Sequence, residues 1–196
     1  MLGETYECVR EDLGFKFVAE KVSHHPAVMA CHAHSDAFEL YQDSQIKTKF
    51  WGKSMEFVPI SVVHIKLGGC GDHYTYTKPS TLVRGIITGN RSVELQGEVD
   101  IINHTTGEVA TISFKKGGFF GGVSTQVECR LYSAEPNGER TCVRTLWGDW
   151  TEKLYPEHDP YSPIWEANPP PADYKEYYGF DEFAMSLNEI TPDIEP

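Results

Sequence analysis

The chain of 196 residues has no Cys-x-x-Cys pair, and its five cysteines (Cys8, Cys31, Cys70, Cys129, Cys142) are an odd number. A disulfide framework and a structural zinc site are therefore not expected. No apolar run approaches the roughly 20 residues needed to span a bilayer, and no signal peptide opens the chain. The default is a soluble, cytosolic protein, and the sequons at Asn90-Arg91-Ser92 and Asn103-His104-Thr105 are read as accidental. There is no Lys/Arg cluster of the kind that drives counterion release on nucleic acid, so nucleic-acid binding is excluded. There is no Gly-x-Ser-x-Gly elbow, and the Gly-rich stretch Lys115–Gly122 lacks the Gly-Lys-Ser/Thr ending of a phosphate loop. That stretch reads as a loop between strands, with Phe119-Phe120 touching a membrane as the minor reading.

Charge is unevenly spread. The formal net charge is −12; from Asp149 onward 12 acidic residues face only Lys153 and Lys175, whereas the first 148 residues carry 17 acidic and 15 basic ones. The acidic tail reads as a solvated face turned away from any anionic bilayer. With 40% hydrophobic and 12% aromatic residues the chain can build a core, and its length predicts one domain over residues 1–196.

Up to about residue 150, short runs rich in Val, Ile, Thr, Tyr and Phe are bounded by Gly, Asn, Asp and Pro, as in antiparallel β structure. Val93–Ile101 alternates apolar and polar residues. Asn103–Gly107 is a turn, and Val109–Phe114 follows with Ala110, Ile112 and Phe114 on one face, so the two runs predict a hairpin. Similar runs lie at Glu56–Leu67, Thr81–Thr88, Gln126–Tyr132 and Thr141–Trp147. The texture predicts a sandwich or a large meandering barrel. Six prolines between Pro156 and Pro171 predict an irregular connector from Tyr155 to Asp173. One helix follows, with Phe180, Phe183, Ala184 and Leu187 as a stripe facing a core and Pro192 as its stop. Trp51, Trp147, Trp150 and Trp165 read as core or rim aromatics.

The stretch Glu-Lys-Val-Ser-His-His-Pro-Ala at residues 20–27 is the chemical focus. In a metal reading, His32 and His34 share one face of a strand, with His24, His25 or Cys31 as a third ligand and Asp36 or Glu39 behind; this is the basis of a zinc-dependent hydrolase as the rival from another class. In a catalytic reading, Ser23 lies beside His24, although neighbours on an extended chain project to opposite faces. In an anion-capture reading, His24 and His25 donate hydrogen bonds, Pro26 stiffens the chain, and Lys47, Lys49 and Lys53 add charge. On residue chemistry alone, a pair that caps a turn ranks first.

The same stretch resembles the Glu-Gln-Val-Ser-His-His-Pro-Pro fingerprint of the oxysterol-binding protein family. Leu2–Glu7, Lys49–Ser54, Leu146–Trp150, Ile164-Trp165 with Asn168-Pro169, and Phe183–Glu189 resemble further segments of that family in the same order. The resemblance implies an incomplete antiparallel β-barrel around a lipid tunnel, with a Pro-rich connector and a C-terminal helix. It implies a lipid-binding, intermembrane lipid-transfer protein rather than an enzyme, carrying sterol or another lipid in exchange for phosphatidylinositol 4-phosphate, with no cofactor and no metal. It assigns His24 and His25 to the phosphate, with Lys47 beside them and Leu2 and Gly3 at the tunnel mouth. Lys21 and Ala27 stand where the family has Gln and Pro, and Lys21 and Ser23 are further candidate mouth residues. The family continues upstream of Met1 and beyond Pro196, so the chain corresponds to the central portion of a lipid-transfer domain, truncated at both ends; a sensor or remnant binding module is the rival within the family. A cytosolic monomer touching the endoplasmic reticulum and the Golgi or plasma membrane at contact sites is the expected setting.

Overall fold

The computed structural model describes residues 1–87, 89, 91–117, 123–134, 138–187 and 190. Phe119, Phe120, Asn90 and Pro192, which carried expectations above, lie outside the described residues. The strands are β1(Thr5–Arg10), β2(Phe15–Ser23), β3(Val28–Ser35), β4(Phe38–Ser44), β5(Ile46–Phe50), β6(Ser54–Pro59), β7(Val62–Leu67), β8(His73–Thr77), β9(Ser80–Arg84), β10(Ser92–Asn103), β11(Val109–Phe114), β12(Gln126–Ala134), β13(Arg140–Asp149), β14(Lys153–Pro156) and the two-residue β15(Trp165–Glu166), followed by α1(Glu182–Ser186). The chain divides into two compact units, Met1–Trp165 and Glu166–Pro196.

In the first unit one antiparallel path runs β1-β2-β3-β4-β7-β8-β10-β11-β12-β13-β14, and β5, β6 and β9 branch from it through β10. The predicted hairpin forms, with Val99 opposite Ile112 and Ile101 opposite Ala110. The run Glu56–Leu67 is split at Ile60-Ser61 into β6 and β7, which pair with different partners.

Paired residues share a face of the sheet and neighbours along a strand alternate, so the registers sort the side chains into two layers. One face carries Phe15, Phe17, Ala33, Leu40, Val63, Ile65, Val99, Ile112 and Leu146. The other carries Lys16, His34, Glu39, Lys66 and His73 in one row and Val18, His32, Tyr41, His64 and Thr75 in the next. The buried apolar residues are Ala33, Val63, Leu82, Val99, Val109 and Val127, and most of these lie on the apolar face. Among the described residues no side chain is below 2% exposed, so the apolar face is only partly covered.

Alternation fails in the first half of β10: Val93 is 58% exposed and Glu94 only 5%. Gly97, at φ +95°, lies where β10 leaves its pairing with β9 and enters the long path. Glu94 is buried because it has work as an acceptor: its Oε1 takes hydrogen bonds from the backbone N–H of Gly117 (3.0 Å) and Ser124 (3.3 Å), and its Oε2 takes one from Arg84 (3.2 Å). Glu94→Ala strands two backbone donors and is expected to cost about 2 to 4 kcal/mol in a denaturant titration. Glu94→Gln keeps an oxygen for both amides and loses the charge-assisted hydrogen bond from Arg84, which is largely exposed and can turn to water, so it should cost less, about 1 kcal/mol.

In the second unit, α1 opens on Asp181, whose Oδ1 accepts from the Ala184 N–H at 2.8 Å. The helix is shorter than the sequence pattern predicts, and the expected apolar stripe is not buried: Phe180, Phe183 and Leu187 are 48%, 56% and 57% exposed. Five residues make little more than one turn, too few to present a full i, i+3, i+4, i+7 face. The four tryptophans are all exposed rather than in the core, and Trp147 stacks on Tyr155 at 5.6 Å.

Candidate functional site

The histidine pair occupies the turn between β2 and β3. Just before it the register slips between Lys21 and Ser23, which bulges Val22 out of the ladder. Lys21 lies opposite Met29, on the same face as Phe17 and Ala19, so it stands at the end of the apolar face. Its ammonium has only protons to give, and Nζ lies 2.8 Å from His24 Nδ1. His24 Nδ1 is therefore the acceptor, and the neutral ring carries its proton on Nε2, pointing a donor outward. The His24 and His25 rings are tilted by 51° with centroids 4.3 Å apart; both are exposed, and the His25–Pro26 peptide bond is cis. His25 has no hydrogen-bond partner among the described residues. Two N–H groups of Lys21, His24 Nε2–H and the His25 ring are thus free to meet an anion.

The N-terminal segment joins the same place. Leu2 forms an isolated parallel bridge with Lys21, and the Met1 ammonium bonds to Glu4 at 2.8 Å, so Leu2 and Gly3 run beside the cationic hairpin. Lys47 is related to the hairpin only indirectly: Lys21 pairs with Met29 and Met29 with Ser44, the last residue of β4, and β5 begins two residues on. Lys47 is exposed, pairs across to Val58 and touches neither histidine. Ser23 makes no hydrogen bond to either histidine, which leaves the catalytic reading without a nucleophile–base contact.

His32 and His34 do share a face, as predicted, with parallel rings 6.4 Å apart. His32 Nε2 lies 3.2 Å from Glu39 Oε1, and Lys66 donates to Glu39 Oε2 at 2.9 Å. The Lys66 hydrogen bond, and then that of His32, hold the Glu39 carboxyl below its ordinary value. Among the described residues no three His, Cys, Asp or Glu side chains are grouped closely enough to hold a metal ion. Sequence reasoning also missed a second group, His64, His73 and His104. Nothing in its local spacing announces it, because three separated segments bring it together.

An open antiparallel wall, apolar on one face and with a cationic hairpin at its end, is the wall of an incomplete β-barrel. A family model described as oxysterol-binding protein matches residues 1–196. The chain belongs to the oxysterol-binding protein family. It is 41% identical over 194 residues to oxysterol-binding protein-related protein 3 of Mus musculus, covering 98% of this chain and 22% of that protein. To oxysterol-binding protein-related protein 7 of Homo sapiens it is 38% identical, covering 99% and 23%. Among solved structures it is similar to the Osh3 ORD of Saccharomyces cerevisiae in complex with PI(4)P, with a TM-score of 0.85, 34% identity, and 98% of this chain against 51% of that one covered. It is also similar to the Osh1 ORD domain in complex with cholesterol, with a TM-score of 0.79, 28% identity, and 98% and 49% covered. The chain spans about a fifth of the length of these curated relatives. Among the described residues no helix is long and apolar enough to cross a membrane.

Proposed function

We propose that this chain is part of a lipid-binding domain that takes up a sterol or phospholipid and phosphatidylinositol 4-phosphate and moves them between membranes without making or breaking a bond. The observation that carries the reading is the placement of Lys21 and His24, hydrogen-bonded to each other at the end of the apolar face. Lipid chains lie against that face, where each Å2 removed from water contributes about 25 cal/mol. The phosphomonoester meets Lys21, His24 and His25, with Lys47 arriving from β5 and Leu2, Gly3 and Ser23 around them. A phosphomonoester carries about −1.5 to −2 charges near neutral pH, and charge-assisted hydrogen bonds are roughly twice as strong as neutral ones. The complexes of the Osh3 ORD with PI(4)P and of the Osh1 ORD with ergosterol and cholesterol support both ligand classes. The setting proposed is a monomer working from the cytosol and touching organelle membranes transiently.

The test is a liposome assay with the purified chain. Labelled phosphatidylinositol 4-phosphate and a fluorescent sterol are offered in separate vesicles, and lipid recovered in the protein fraction is measured. Uptake of both is expected; uptake of neither by a chain with an intact β circular dichroism spectrum would overturn the reading.

A further inference from the structure

The long strand path has a weak point. β8 and β10 share only two residue pairs, Thr75 with Ile102 and Tyr74 with Asn103, whereas even the short β13–β14 ladder has four. Beyond Thr75 the two strands part around a cleft of about 430 Å3, lined among others by Val62, Thr77, Pro79, Gly97 and Ile102. A short seam therefore joins the half of the sheet that carries the cationic hairpin to the half built from β10 to β14.

Three imidazoles gather at that seam, His64 of β7 and His73 of β8 on one side and His104, which follows β10, on the other. His64 Nδ1 and His73 Nε2 are 3.1 Å apart, and the rings of His73 and His104 have centroids 5.1 Å apart. The His104 backbone N–H donates to the His73 carbonyl at 2.8 Å. His104 Nε2 is hydrogen-bonded at 2.7 Å to Oγ1 of Thr75, itself a seam residue and only 9% exposed. Tyr41 stacks on the outer side of His64 at 4.6 Å. The contact between His64 and His73 needs one ring to accept, so it cannot survive protonation of both.

The neighbours do not relieve this. β7 adds Lys66, and β3 adds His34, which lines a pocket with Asp36, Glu39, Lys66 and His73. Of the carboxylates on the packed elements, Glu39 of β4 is taken by Lys66 and His32, Asp72 by the Tyr74 hydroxyl, and Glu108 by Thr106. Among the described residues none hydrogen-bonds to His64, His73 or His104. Burial, then the closeness of His104, His64 and Lys66, hold the His73 imidazole below its ordinary value.

We infer that His64, His73 and His104 form a proton-sensitive latch over the β8–β10 seam, so that acidification loosens the join between the two halves of the sheet. A histidine held below its ordinary value keeps the closed seam neutral while the opened one takes up a proton. The stabilisation is present above the ordinary imidazole value of about 6.5 and is lost as pH falls below it. The latch requires no ligand and stands whether or not the chain carries lipid.

Amide hydrogen exchange tests this on the intact chain at pH 7.5 and 5.5, with rates corrected for intrinsic exchange. Opening at the amides that face the seam, Thr75, Ile102 and His104, is expected to rise by up to about tenfold for each imidazole kept neutral in the closed seam, while β12 and β13 amides change little. His73→Gln should flatten the response at the seam, and His104→Asn decides the matter if His73→Gln does not fold. Equal change at the seam and in β12–β13, or an undiminished pH response in a folded variant, would overturn the latch.

Discussion

His24→Ala/His25→Ala is expected to abolish recovery of phosphatidylinositol 4-phosphate from liposomes while leaving sterol uptake and the fold in place. The two rings lie on an exposed turn, support no core residue and bond only to Lys21, so their removal should shift stability by no more than about 0.5 kcal/mol. On the proposed reading, what is lost is a pair of donors that meet the phosphate. Even if the two contribute only about 3 kcal/mol together, the phosphoinositide binds about a hundredfold more weakly. Sterol, which has no phosphate, depends on the apolar face and provides the internal control. Lys21→Met should weaken phosphoinositide binding less, since it removes one cation and frees His24 to choose its tautomer. A folded double mutant that still extracts phosphoinositide like the parent chain would remove the hairpin from the headgroup site.

Gly148→Ala is expected to prevent stable folding. Gly148 sits in β13 at φ +153°, paired with Val127 on one side and Leu154 on the other. A Cβ there would lie 2.2 Å from the Lys153 carbonyl oxygen and 3.1 Å from Leu154 Cα. Both are backbone atoms of β14, so no rotamer change relieves the clash, and β13 and β14 must separate. The cost is expected to exceed about 4 kcal/mol, much of the roughly 5 to 15 kcal/mol that holds a domain together. Gly97→Ala gives the contrast: its φ is also positive, at +95°, but nothing lies within 4 Å of the added carbon, so the cost should be about 1 kcal/mol. Melting curves of the two variants separate steric exclusion from backbone preference. A melting temperature for Gly148→Ala within two degrees of the parent, roughly half a kcal/mol, would show that β14 gives way easily.

Much of the wall is legible from local signals. Turn residues separate the strands, and the β10–β11 hairpin follows from alternation and from the Asn103–Gly107 turn, where Asn103 Oδ1 accepts from the N–H groups of Thr105 and Thr106. The hairpin of His24 and His25 is legible because its residues are contiguous. The branch β5-β6-β9 is not, since β6 chooses β9 over its sequence neighbour β7 through pairings that no local pattern encodes. The inversion at Val93 and Glu94 is hidden for a related reason. A buried glutamate looks like an error until the amides of Gly117 and Ser124, more than 20 residues away, are brought to it. Lys21 illustrates the intermediate case: its charge is plain in the sequence, but its bond to His24 depends on the bulge at Val22.

β5 has a consequence for behaviour at high concentration. It pairs with β6 on one side only, and all five of its residues are exposed. A row of unshared N–H and C=O groups flanked by Ile46 and Phe50 is a template on which another copy could add a strand. Lys49 is drawn toward Glu56 at 3.8 Å, which leaves Lys47 as the uncompensated cation on that edge. Repulsion between two such lysines guards the edge, and it is screened as ionic strength rises. If Lys47 belongs to the headgroup site as proposed, an anion bound there cancels the same charge, and occupancy of that site and resistance to self-association then draw on one side chain.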